Sequence, residues 1–264
     1  MPGLANILVT GGCEFIGSNF IRYLFSKTDF SGIIIKLDKL TYAGNPQNLS
    51  DLEERYGGSR YFFEHGDICD EGLVDRVFSR YSIDTVLHFA AESHVDRSIY
   101  GPYQFPEKLI PLMILNMLDE KPLPVYGDGK NVRDWVHVDA HSEAVWKIMR
   151  LSPAGECYNI GGENEWENIG LVETLCEKVA EATVRGKEYY KGLISFVKDR
   201  PGHDRRYAIN CDKIKSRLGW RQSYTFEQGL EQTVQWYLNN RDWVESVRPG
   251  EYRQWVEKNY GRRN

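Results

Sequence analysis

Strands that alternate with helices, near-continuous apolar strand cores, and a glycine-rich turn between the first strand and the first helix predict an α/β chain. The expected architecture is a Rossmann-type parallel sheet followed by a small mixed α/β lobe. Asn6-Ile7-Leu8-Val9-Thr10 is an apolar β run, and the turn after it opens an apolar-periodic helix over residues 15–26. Ile33-Ile34-Ile35 is the core of a second strand that closes at Asp38. Residues 60–63 form a third strand and 85–89 a fourth, with helices near 49–55 and 71–81 between them. Such alternation fits parallel strands joined by right-handed crossovers. Beyond residue 100 the texture changes: Pro102, Pro106, Pro111, Pro122 and Pro124 punctuate the chain. Helices are predicted over 108–118, 140–150, 171–182, 226–239 and 242–247, and Cys157-Tyr158-Asn159-Ile160-Gly161-Gly162 reads as a strand and turn.

At 264 residues the chain is long enough for one large domain or two coupled ones. Its net charge of -5 provides no basic footprint for nucleic acid. No apolar run approaches the roughly 18 residues of a membrane span, and no signal peptide is read at the start, so a cytoplasmic protein is expected. The five cysteines show no Cys-x-x-Cys pair, which favours reduced thiols over a zinc site. His88 and His94 have no accompanying ligand set, and no metal is expected.

Thr10-Gly11-Gly12-Cys13-Glu14-Phe15-Ile16-Gly17-Ser18 lies between a strand and a helix. That is the setting of a phosphate-binding turn, because a helix N-terminus offers unpaired N–H groups and partial positive charge. Gly11 and Gly17 fit a Gly-x-x-Gly-x-x-Gly pattern, but Glu14 stands where the middle glycine would let the backbone approach a pyrophosphate. Asp38 closes the second strand about 20 residues beyond Gly17, where a carboxylate takes ribose hydroxyls and disfavours a 2′-phosphate. NAD is therefore favoured over NADP, with Glu14 working against its affinity.

Two longer blocks carry a resemblance. Val86-Leu87-His88-Phe89-Ala90-Ala91-Glu92-Ser93-His94-Val95-Asp96-Arg97-Ser98-Ile99 and Tyr100-Gly101-Pro102-Tyr103-Gln104-Phe105-Pro106-Glu107-Lys108-Leu109-Ile110-Pro111 each resemble the dTDP-glucose 4,6-dehydratase family of extended short-chain dehydrogenase/reductases. In that family a long segment bearing Thr-Asp-Glu and Tyr-x-x-x-Lys separates them; here they adjoin. Gly-Pro-x-x-Phe, which the family has on both sides of that segment, survives once as Gly101-Pro102-Tyr103-Gln104-Phe105, as a deletion between two similar stretches would leave it. The resemblance implies an NAD-binding part over 1–100 and a nucleotide-sugar part over 101–264, with 155–162 returning to the sheet. It also implies a Rossmann sheet shortened by about two strands and two helices, an open edge on the fourth strand, and loss of the family dimer interface.

By the same resemblance, Gly11, Phe15, Ile16, Gly17, Asp38, Lys39, Leu40, Thr41, Asp67, Ile68, Phe89, Ala90 and Ala91 would face the dinucleotide. Ser93, Lys108, Leu109, Pro124, Tyr126, Arg133, Asn168, Arg200, His203 and Tyr260 would face a dTDP-sugar, with Arg133 and Arg200 clamping phosphate oxygens. No catalytic residue is assigned. Tyr-x-x-x-Lys does occur at Tyr23–Lys27 and Tyr126–Lys130, as chance allows in a chain with 16 tyrosines. The first pair lies late in the opening helix, the second in a glycine loop. Asp119-Glu120 ends a helix and reads as solvated. Three functions follow: an active dehydratase, a non-catalytic dTDP-sugar or NAD binder, or a deletion product with no role of its own. The absent motifs argue against the first.

Overall fold

The computed structural model describes residues 4–41, 43–91, 108–199 and 202–246. The chain divides into two compact units, Met1–Tyr103 and Gln104–Asn264. The join at 98–102, and with it Ser93, His94, Arg200 and Tyr260, lies outside the described residues.

In the first unit, β1 (Asn6–Thr10), β2 (Ile33–Asp38), β3 (Tyr61–His65) and β4 (Thr85–His88) form one parallel sheet in the order β3-β2-β1-β4. Leu8 sits opposite Ile35 on one side and Val86 on the other. Helices α1 (Phe15–Lys27), α2 (Ser50–Tyr56) and α3 (Glu71–Tyr81) supply the crossovers. The strand period of two divides β2 between faces. Ile35 and Leu37 pack with Leu8 against Val77 and Tyr81 of α3. α1 buries Phe20, Ile21 and Leu24 completely, each contributing about 1.5–3 kcal/mol by removal from water. Asp70 starts α3 by accepting a 3.0 Å bond from Leu73 N, and Ser82 ends it in the left-handed region at φ 48. Both ends of the helix are thus capped by its own sequence. β4 forms the edge of the sheet opposite β3, and Val86 is 47% exposed. The open edge expected from sequence is present among the described residues.

The second unit contains α4 (Leu109–Leu118), β5 (Leu123–Tyr126), β6 (Val132–Asp134), α5 (Val138–Leu151), β7 (Glu165–Glu167), α6 (Asn168–Glu181), α7 (Lys187–Lys191), β8 (Ile194–Val197), α8 (Asp212–Leu218), α9 (Phe226–Asn239) and α10 (Arg241–Ser246). β5 pairs with β8 in parallel and β6 with β7 antiparallel. Met113, Ile114, Leu115 and Met117 of α4 are buried with residues of α6 and α9 in one cluster. A second cluster gathers Ala140 and Ala144 of α5 and Ile214 of α8 around fully buried Trp220, whose Nε1 donates to Ala140 O at 3.2 Å. Among the described residues no helix is long and apolar enough to cross a membrane.

Two expectations are corrected. Residues 155–162 carry no strand. Their polar groups bond to distant parts of the chain instead of to a neighbouring strand: Asn159 Nδ2 donates to Asn210 O, Gly162 N to Asp134 Oδ2, and Gly162 O accepts from Gln222. Tyr126 lies in no loop; it is the last residue of β5, paired opposite Val197. Pro124 did not prevent that strand, because β5 is paired on one side only and proline is tolerated at such an edge.

Candidate functional site

At the carboxyl ends of β1, β2, β3 and β4 the sequence-predicted dinucleotide residues come together. Gly11 adopts φ +65, and a Cβ there would stand 2.6 Å from Ala90 N and 2.9 Å from Phe89 C. Only glycine fits where the β1 turn and the β4 exit touch. A Cβ on Gly17 would meet Gly11 O at 2.3 Å, so α1 sits directly on the turn. The first bond of α1 runs from Ser18 N to Glu14 O, so the N–H groups of Phe15, Ile16 and Gly17 have no partner within the helix. Phe89 N donates to Thr10 O at 3.1 Å and the Phe89 ring packs 5.8 Å from Phe20. His88 Nδ1 pairs with Thr10 Oγ1 at 2.7 Å, a structural bond.

Asp38, 5% exposed, ends β2 with Oδ2 accepting from Cys13 N and Oδ1 from Leu40 N, both at 2.8 Å. Leu40 occupies the left-handed region at φ 55, which wraps Lys39 and Thr41 around the carboxylate. Lys39 Nζ meets Asp67 at 2.6 Å, and that ammonium together with Cys69 N holds the Asp67 carboxyl below its ordinary pKa. Ile68 is partly exposed beside it. Glu14 is the N-cap of α1 at φ -81 and ψ 173. Any residue adopts that backbone, so the departure from glycine costs no strain; what it adds is a half-buried side chain and its charge. Turn, helix terminus and Asp38 therefore fit a dinucleotide, and Glu14 sets a carboxylate at the anion-binding end of the helix.

In the second unit the other predicted residues that are described, Lys108, Leu109, Pro124, Tyr126, Arg133, Asn168 and His203, lie on or beside α4, β5, β6, α6 and the segment after β8. The Tyr126 ring lies edge-on to His203 at 5.9 Å, and His203 Nδ1 meets Asp199 Oδ1 at 2.6 Å. Arg133 on β6 donates to Val132 O at 2.7 Å and Asp204 O at 2.9 Å, and stacks 4.6 Å from the Tyr207 ring. Asp128, in the turn after Tyr126, is forked by Arg205 at 2.7 and 3.1 Å, which pulls its carboxyl down to about 2. Asn168 begins α6 and bonds through its N to Asn131 O. The Oδ1 atoms of Asn168 and Asn131 are buried with no hydrogen-bond partner among the described residues. Lys108 is the N-cap of α4 and Leu109 its first residue. The short connection 119–122 turns β5 back along that helix, which sends Lys108 and Tyr126 to the same end of the pair.

The two Tyr-x-x-x-Lys matches fall in different settings. Tyr23 and Lys27 lie toward the end of α1 remote from its turn, and Tyr126 and Lys130 flank a glycine turn. Asp119 and Glu120 are engaged in exposed ion pairs with Lys121 and Arg185, both at 2.9 Å. Among the described residues no cluster of three or more His, Cys, Asp or Glu is placed to hold a metal ion. Sequence reasoning missed Lys36, a lysine within the apolar run 33–37 that is only 3% exposed under the turn. A charged residue inside such a run was the available signal.

The family model described as GDP-mannose 4,6 dehydratase matches residues 8–105 and 99–233, two stretches that overlap where the sequence places its join. A dTDP-glucose 4,6-dehydratase of Shigella flexneri is 37% identical over 361 residues, covering 96% of this chain and 98% of that protein. That alignment is nearly a hundred positions longer than the 264 residues available here. Among solved structures, a dTDP-glucose 4,6-dehydratase of Bacillus anthracis in complex with NAD matches with TM-score 0.78 and 33% identity, covering 92% of this chain and 99% of that one. One from Streptomyces venezuelae, with NAD and TYD bound, matches with TM-score 0.81 at the same identity and coverage.

Proposed function

The chain belongs to the dTDP-glucose 4,6-dehydratase family, and from that membership we propose that it binds a dTDP-sugar and NAD without performing the dehydration. The observation that carries this reading is the contrast between what the chain keeps and what it lacks. Both sets of binding residues persist: Gly11, Gly17 and Asp38 in one unit, Tyr126, Arg133, Asn168 and His203 in the other. Thr-Asp-Glu does not occur in the sequence, and neither Tyr-x-x-x-Lys match lies at the carboxyl end of a strand of the four-stranded sheet. The length of the alignment with the Shigella relative supports an internal deletion at the join.

Bound NAD would supply hydride acceptance and return, chemistry that belongs to the nicotinamide. Gly11, the α1 terminus and Asp38 would hold its diphosphate and ribose, and Asp38 would disfavour a 2′-phosphate. Dehydration also needs a tyrosine base with a lowered pKa and two carboxyl groups kept in different protonation states. Asp119 and Glu120 do not meet that need, because each is already salt-bridged at the surface. Nucleotide binding asks less: Arg133 and Lys108 provide charge for phosphate, and Tyr126 and His203 a ring face and an imidazole. dTDP is expected to bind at tens of micromolar to millimolar, about -4 to -6 kcal/mol.

The test is twofold. Purified chain incubated with dTDP-glucose and NAD should form no 4-keto-6-deoxy sugar; product above background would refute the inactive reading. Titration with dTDP and with NAD should give saturable heats, and a folded, monodisperse sample without response at millimolar dTDP would refute binding. The exposed edge at Val86 favours a second reading, a deletion product that associates through β4 and has no role of its own. Concentration-dependent association without ligand binding would select it.

A further inference from the structure

The segment 204–207 lies along β6 on the side away from β7 and closes over Arg133. β7 pairs with one side of β6, setting Arg133 opposite Trp166 and Asp134 opposite Glu165. On the other side Val132 N donates to Arg205 O at 2.8 Å and Tyr207 N donates to Val132 O at 3.0 Å, a parallel bridge centred on Arg206. Side chains alternate between faces along extended backbone. Val132 and Arg206 therefore share one face, and their successors Arg133 and Tyr207 share the other. This register sets the Arg133 guanidinium 4.6 Å from the centre of the Tyr207 ring. The fork of Arg206 onto Glu165 fits the same alternation, because Glu165 pairs with Asp134, which lies on the Val132 face.

Burial does not account for the ring's place, since Tyr207 is 54% exposed. What it does is hold. Its hydroxyl donates to the Asp204 carboxylate, which ties the two ends of the segment together. Asp204 O accepts from Arg133 at 2.9 Å and from Nδ2 of Asn131 at 3.3 Å, and Asn131 is only 2% exposed. Arg133 also donates to Val132 O at 2.7 Å. Both acceptors are neutral carbonyls, so neither of these bonds cancels the charge. The ring face attracts the guanidinium without supplying an anion. Side-chain freedom that an arginine would lose on gripping phosphate is in this way already lost on folding.

We propose that Tyr207 is a positioning residue that presets Arg133 for the phosphate oxygens of a nucleoside diphosphate. The role toward phosphate rests on the dTDP-binding reading above; the hold on Arg133 does not.

The experiment compares the full chain with Tyr207→Leu, which removes the ring face, and Tyr207→Phe, which keeps it. The Nε–H resonance of Arg133 is first followed in isotope-labelled, ligand-free protein and assigned by its loss in Arg133→Lys. In wild type and Tyr207→Phe it should be resolved and shifted upfield by the ring; in Tyr207→Leu it should fall among exposed arginines. The same position in wild type and Tyr207→Leu overturns the hold. Titration with dTDP at low salt follows. Tyr207→Leu should weaken binding about three- to fivefold and Tyr207→Phe less than about twofold, with urea midpoints close to wild type because the ring is mostly exposed. Equal losses from the two variants, or none from either, overturn the proposal. A ring-shifted Arg133 signal with no dTDP binding by wild type leaves the hold standing and refutes the nucleotide reading. Binding of dTDP that Tyr207→Leu leaves unchanged does the reverse.

Discussion

Replacing Arg133 by alanine should weaken dTDP binding by about 2 kcal/mol, roughly thirtyfold. The size follows from how the guanidinium is held. Its described bonds go to Val132 O at 2.7 Å and Asp204 O at 2.9 Å, and its plane lies 4.6 Å from the Tyr207 ring. These contacts fix the side chain before any ligand arrives, so little further rotamer entropy is lost on binding. One charge-assisted pair to phosphate is worth about 1.5–3 kcal/mol, and partial exposure of β6 places the expectation in the lower half of that range. Arg206 is the control. It is forked onto Glu165 at 2.6 and 2.8 Å on the exposed surface, an arrangement typically worth about 0–1 kcal/mol. Calorimetry at low and at physiological salt should show a large loss for Arg133→Ala and less than about a twofold loss for Arg206→Ala, with binding fading as salt rises. If Arg133→Ala binds dTDP within twofold of wild type, or if both variants lose equally, the phosphate role of Arg133 is wrong.

Glu14→Gly should tighten NAD at least about tenfold, since each charge pair between its carboxylate and a diphosphate costs roughly 1–4 kcal/mol at about 4 Å across effective dielectrics of 80 to 20; unchanged calorimetric affinity would count against a diphosphate at this turn. Gly11→Ala should destabilise the first unit by about 2–4 kcal/mol, combining left-handed strain with contacts of 2.6–2.9 Å to Ala90 and Phe89, and an unaltered urea midpoint would show that the turn relaxes freely. Acid should weaken the second unit through His137 and His141, whose pKa values burial lowers in the fold. The unfolded chain then binds more protons, so the stability these groups contribute is present above about pH 6.5 and is lost as pH falls through that value toward the lower folded pKa. His137→Asn retains a capping acceptor for Asp139 N without a titrating ring, and it should flatten the fall in urea midpoint between about pH 7 and 5; an unchanged slope would assign the effect elsewhere.

The sequence by itself determined the first four strands, the helices between them and the residues at their ends. Apolar runs such as Ile33-Ile34-Ile35, the helical period of 71–81 and the glycine turn are local signals, each complete within a few residues. The resemblance between blocks of sequence selected Tyr126, Arg133, Asn168 and His203, but not the contacts that hold them. β6, β7 and β8 are only three or four residues long, and what makes them strands is a partner far away in the chain, as Tyr126 opposite Val197 and Arg133 opposite Trp166 illustrate. Residues 155–162 show the converse: strand-like composition, but with polar groups bonded to Asp134, Asn210 and Gln222 instead of to a neighbouring strand. Lys36 is the sharpest case. Its neighbours in sequence mark a buried strand, yet only the packing of Gly12, Cys13 and the Phe63 ring around it explains how a charge resides there. Local chemistry is written residue by residue and can be read that way. The partner of a buried charge or a short strand is chosen by closure of long loops, so it exists only once the chain has folded.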